Sequence, residues 1–114
     1  MTRVVVIRRH GSIVSVECKG HSGYAKEGAD IVCAGLSSIV QTAALGLRKV
    51  AGANNIAYST DSNSGYLKIV VRELSDAHMR HDCDVILETM LLGVQDYAEG
   101  LPKFVRLEVK EDVY

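Results

Sequence analysis

The sequence predicts an α+β fold: a single sheet of about five strands packed with two long helices, in the order ββαββαβ. Three observations predict it. Short β-branched or alternating runs recur along the chain, two long segments carry an apolar stripe at three- and four-residue steps, and turn signals separate them. Each helix stripe needs a partner surface, which a sheet supplies. The chain of 114 residues is one domain's worth, long enough to bury a core without staples.

Val4, Val5, Val6 and Ile7 between Arg3 and Arg8 predict a strand over 3–9, buried on both faces. His10-Gly11-Ser12 is a turn signal. Val14, Val16 and Cys18 then alternate against Ser15, Glu17 and Lys19, a half-buried strand over 13–19 that closes a hairpin. From Gly20 to Gly28 there are three glycines in nine residues and no period, which reads as a loop. Asp30 opens a helix over 30–51, with Val32, Leu36, Ile39, Val40, Ala43, Leu47 and Val50 as its stripe and Gly52 as its stop. Ile56 to Thr60 and Tyr66 to Glu73 form a second hairpin around the turn cluster Asp61 to Gly65. Ser75 or Asp76 caps a second helix, whose stripe is Met79, Cys83, Ile86, Leu87, Met90, Leu91, Val94 and Ala98. Gly100 and Pro102 end it. Lys103 to Glu111 alternates as a last strand.

Thirteen basic against fourteen acidic side chains leave a formal charge of -1, which disfavours sequence-independent nucleic-acid binding. No apolar run approaches the roughly 18 residues of a membrane span. Cys18, Cys33 and Cys83 are odd in number, hold no CxxC pair and follow no signal peptide, so the expected compartment is the reducing cytoplasm.

Thiol chemistry has one natural place in this chain. His21 ends a strand, a glycine-rich loop follows, and Asp30-Ile31-Val32-Cys33 starts a helix. A cysteine in the first turn of a helix feels the positive end of the macrodipole and unpaired amides, which lower a thiol pKa. His21, returning across the loop, suits the roles of ion-pair partner and general acid toward a leaving amine. Asp30 is the expected helix cap and a candidate to orient His21. Ser37, four residues after Cys33, shares its helix face, and the first-turn amides, that of Cys33 included, are candidate oxyanion donors. Ser22, Gly23, Tyr24 and Gly28 belong to the loop expected to gate a substrate. The same residues fit equally a buried helix cysteine, a strand-end histidine and an aspartate that only caps.

Other signals are weaker. His78, His81 and Cys83 do not share one helix face, so no metal site is expected, and Cys18 and Cys83 read as core. His10 reads as a solvated turn residue. The glycine loop lacks the Gly-Lys-Ser/Thr or GxGxxG pattern of a phosphate cradle. Tyr24 and Tyr66 are possible substrate contacts, against local packing as the commoner role.

The run Gly20-His21-Ser22-Gly23, followed by Gly28-Ala29-Asp30-Ile31-Val32-Cys33-Ala34-Gly35-Leu36-Ser37, closely resembles the bacterial ribosomal-processing cysteine protease family, Prp. The resemblance spans essentially the whole chain. It implies a catalytic dyad at His21 and Cys33, with Asp30 and Ser37 in support. It also implies a homodimeric endopeptidase that removes a short N-terminal extension from a large-subunit ribosomal protein, cutting after a phenylalanine beneath the glycine loop. Ser22 stands where alanine is frequent in that family, which touches loop shape rather than the dyad. The chemistry needs no metal or organic cofactor, and its partner is a protein rather than nucleic acid or membrane. The rival readings are a non-catalytic ribosome-associated module that grips an extended peptide, and a thiol redox sensor.

Overall fold

The computed structural model describes residues 1–20, 27–61 and 65–112, with the side chains of the first helix from Val32 onward. The elements are β1 (Thr2–Arg9), β2 (Ser12–Lys19), α1 (Glu27–Lys49), β3 (Ile56–Asp61), β4 (Tyr66–Val71), α2 (Ala77–Gly100) and β5 (Val105–Glu111). This is the expected order, ββαββαβ. The strands form one five-stranded mixed sheet in the order β3-β4-β2-β1-β5. β5 runs parallel to β1, while the other neighbours are antiparallel. β1 and β2 are joined through His10 and Gly11, both at positive φ (51° and 83°), the twist a two-residue hairpin turn requires.

β1 is buried on one face rather than two. Thr2, Val4 and Val6 point inward, whereas Val5 and Ile7 are half-buried on the other side. Val5 stands between Glu17 of β2 and Glu108 of β5, so a β-branched residue marks the strand without marking a core face. Across the inner face the register aligns Val4 with Cys18 and Leu67, and Val6 with Val16 and Ile69. These residues form one apolar cluster with Leu36, Val40 and Leu47 of α1 and Leu87, Leu91 and Val94 of α2. Among the described residues no helix is long and apolar enough to cross a membrane.

α1 begins three residues before the expected start. The long buried stripe that follows outweighs the cost of about 1 kcal/mol of a glycine at Gly28. The stripe stops at Leu47, since Val50 is 80% exposed. Gly52 at φ 67° turns the chain so that the Ala53 amide donates to the Leu47 carbonyl. Asp76 caps α2, its carboxylate accepting from the amides of His78 (2.9 Å) and Met79 (3.2 Å).

The two helices meet closely where the hydroxyl of Tyr97 lies over Gly35, occupying the space a Cβ would fill. Gly35→Ala is therefore expected to destabilise the fold by about 1–3 kcal/mol through overpacking. Adding Tyr97→Phe should recover most of that loss in urea denaturation, though not all, because the ring carbon Cζ stays 3.0 Å from the new Cβ. Equal losses in the single and double variants would refute the contact as the cause.

On the far edge of the helical layer, Arg8 of β1 grips Glu88 of α2 with both terminal nitrogens, Nη2 donating to Oε1 at 2.8 Å and Nη1 to Oε2. The hydrogen bond from Arg8 holds the Glu88 carboxyl below its ordinary range. Because the Glu88 side chain is 43% exposed, solvent screening keeps the pair's worth under about 1 kcal/mol. A carboxylate pKa lowered by folding contributes stability above its unfolded value and loses it as pH falls through the folded one. Wild type should thus exceed Glu88→Gln in stability at neutral pH, and the gap should close as pH falls through the carboxylate range. A gap that persists in acid would show that the charge pair is not its source.

Candidate active site

The three cysteines occupy very different surroundings. Cys18 in β2 is 5% exposed, and burial, helped by the neighbouring Glu17 charge, pushes its thiol up to about 12. Cys83 in α2 is 2% exposed, and burial, then Asp84 and Asp82, raise its pKa as well. Both stay protonated and packed, as their positions in the apolar patterns predicted. Cys33 alone of the three is half-buried.

Cys33 comes to lie at the end of the sheet where β1 begins and β2 stops. Its Sγ is 3.1 Å from Oγ1 of Thr2, the first residue of β1, and that hydroxyl lies 3.3 Å from the carbonyl oxygen of Gly20, just past β2. The Thr2 amide donates to the Phe104 carbonyl at 2.8 Å, tying this corner to the entrance of β5. Gly20 has φ 103°, and a Cβ there would stand 2.7 Å from the Met1 carbonyl oxygen, so only glycine fits.

The earlier helix start changes the electrostatics expected at Cys33. It is the seventh residue of α1 rather than a first-turn residue, beyond the reach over which the dipole acts strongly. Its amide is also committed to the Ala29 carbonyl by the helical pattern, leaving it unable to donate to an oxyanion. Asp30 is the fourth residue of α1, inside the helix rather than its cap, and Gly28 is its second residue rather than part of a loop. Ser37 lies one turn beyond Cys33 on the same face, half-buried. His21, Ser22, Gly23 and Tyr24 lie outside the described residues, as does the side chain of Asp30.

Thr2 was not among the residues singled out from sequence. The signal was present: Thr2 shares strand parity with Val4 and Val6, which places its side chain on the core face. Beginning the strand at residue 3 concealed it. Elsewhere, His78 and His81 are exposed while Cys83 faces the core, and no group of three or more metal-ligating side chains occurs among the described residues. The Tyr66 hydroxyl donates to Glu17 at 2.8 Å, a local contact on the outer sheet face. A hollow of about 1010 Å³ beside Arg9, His10, Ser12 and Arg80 opens at the opposite end of β1 and β2, away from the Cys33 thiol.

A mixed sheet backed by two helices is a fold shared with solved cysteine proteases. The sequence model of the family described as "Cysteine protease Prp" matches residues 1–106, and the chain belongs to that family. The chain is 27% identical over 106 residues to the ribosomal processing cysteine protease Prp of Bacillus subtilis (strain 168), covering 89% of this chain and 94% of that protein. The crystal structure of SMU.848 from Streptococcus mutans superposes with a TM-score of 0.86 at 30% identity, covering 98% of this chain and 96% of that one. The essential ribosomal processing protease Prp from S. aureus, crystallised with a covalently linked product peptide, gives a TM-score of 0.74 at 26% identity, covering 96% of this chain and 100% of that one.

Proposed function

We propose that this chain is a cysteine endopeptidase that removes a short N-terminal extension from a bacterial large-subunit ribosomal protein, cutting after a phenylalanine. The observation that carries the reading is the accessible thiol of Cys33 within a stretch that the Prp family model spans, the other two cysteines being packed away. A relative that holds a product peptide through a covalent bond supports covalent catalysis.

In the proposed reaction the Cys33 thiolate attacks the scissile carbonyl carbon, and the oxygen takes up the electron pair. Collapse breaks the carbon–nitrogen bond while His21 gives its proton to the departing amine, leaving a thioester on Cys33. Water then attacks that thioester as His21 takes one of its protons, the thiolate is released, and the new carboxylic acid gives its remaining proton to solvent. Asp30 in the first helical turn orients His21, and Ser37 supports the reacting centre from the next turn. The residues around Ser22, Gly23 and Tyr24 cover the substrate. The chain acts as a single domain in a cytoplasmic homodimer, with no cofactor, and reaches the ribosome through its protein substrate rather than through RNA.

Incubating the protein with an N-terminally extended ribosomal protein and weighing the products tests the reading. Two fragments whose masses sum to substrate plus one water are expected. Uncut substrate would reject the reading and favour a module that only grips the peptide.

A further inference from the structure

With the helix dipole largely spent at the seventh residue and its amide used within the helix, the Cys33 sulfur depends on its side-chain neighbours. Among the described residues, the side chain within hydrogen-bond reach is Thr2, only 5% exposed, with Oγ1 3.1 Å from Sγ and 3.3 Å from the Gly20 carbonyl oxygen. We propose that Thr2 is a positioning residue for the Cys33 thiol, switching its single hydroxyl proton between the Gly20 carbonyl and the sulfur as the thiol ionises. The proposal deepens the protease reading and rests on Cys33 being the nucleophile.

A threonine hydroxyl donates once and accepts through its lone pairs. While Cys33 is protonated, the hydroxyl satisfies both neighbours by donating to the Gly20 carbonyl and accepting from the S–H. A thiolate can only accept. The thiol proton passes to a base, His21 in the proposed dyad, and the Thr2 hydroxyl rotates to donate to the sulfur, releasing the Gly20 carbonyl. No covalent bond within Thr2 changes. A hydrogen bond to the charged form favours it, and the Thr2 hydroxyl, on a side chain that is itself buried, is placed to give one. Gly20 has a positive φ, lies against the Met1 carbonyl and directly precedes His21 in the chain, so one hydroxyl links Cys33 to the residue that leads into His21.

The titratable groups among the described residues beside this corner are the Met1 amine, Arg3, Lys19 and Lys103, with Tyr97 packed over Gly35. They are unchanged in the variants, so differences between variants report the hydroxyl. The test is the rate at which iodoacetamide labels Cys33, followed by mass against pH in the full-length protein. It compares wild type, Thr2→Val, which keeps the shape, and Thr2→Ser, which keeps the hydroxyl. Cys18 and Cys83 serve as folding monitors, since they label only when the chain opens. Thr2→Val should weaken the hold on the thiolate that the hydroxyl supplies. Labelling near neutral pH should slow by about threefold, because a more basic thiolate is also a better nucleophile. Thr2→Ser should follow wild type, and on the extended ribosomal protein Thr2→Val should lower kcat with little change in KM. Superimposed Val and wild-type profiles, or a Ser variant that behaves like Val, would overturn the proposal. The absence of cutting by wild type with the labelling shift intact would overturn the protease reading alone.

Discussion

Cys33→Ala is expected to reduce cleavage of an N-terminally extended ribosomal protein by about ten-thousand-fold or more, the scale seen when a covalent nucleophile is deleted. Without Sγ no thioester can form, and what survives is only the rate that substrate binding and fixed dipoles lend to attack by water. Fold stability should barely change, because Cys33 is half-buried and its loss opens no deep cavity. Alkylation gives the companion result. Cys33 should label near neutral pH, while Cys18, its thiol pushed up to about 12 and only 5% exposed, should label only on unfolding. His21→Ala should slow labelling of Cys33 if the histidine holds the thiolate. Cleavage by Cys33→Ala at the wild-type rate would remove the nucleophile from the proposal.

Gly20→Ala should be the most damaging single-methyl change at this corner. Its φ of 103° strains any L side chain, and the added Cβ meets a backbone oxygen, that of Met1, at 2.7 Å. A side-chain tip can swing away from a methyl, but the Met1 carbonyl belongs to a peptide whose Thr2 amide is tied to the Phe104 carbonyl. The expected loss is about 2 kcal/mol or more in stability, with cleavage reduced about tenfold in the molecules that stay folded. The activity loss follows from moving the carbonyl that Thr2 reads and the residue that leads into His21. Gly11→Ala is the control: φ is 83°, but nothing lies within 4 Å of the added Cβ, so only the strain is felt and cleavage should be unaffected. Stability and cleavage losses no greater in Gly20→Ala than in Gly11→Ala would dismiss the backbone contact.

Much of the architecture was legible because periodicity is a local property. The stripe of Cys83, Leu87, Leu91 and Val94, the Asp76 cap, and the alternation through Val16 and Cys18 each report a face that the fold then buries. Where the signal is not directional, the reading went astray. The run of Val4 to Ile7 announces a strand, yet β-branched side chains suit either face, and among the described residues no second helical layer covers Val5 and Ile7, which stay half-buried. Gly28 masks a helix start, because a glycine among polar residues looks like a loop until the buried stripe downstream stabilises the first turn.

Sequence alone determined the element order, the apolar faces that make the core, and the GHSG and DIVC segments by which the chain resembles the Prp cysteine proteases. These depend on local periods and on residue types in fixed order. Tertiary structure alone decided that Cys33 sits a turn deeper in its helix than expected, and that β1, β2 and α1 meet around its sulfur. Thr2 and Cys33 are 31 residues apart in the chain and 3.1 Å apart in space. No spacing rule connects them; sheet register and helix packing do, because those long-range contacts are made only when the whole chain is folded.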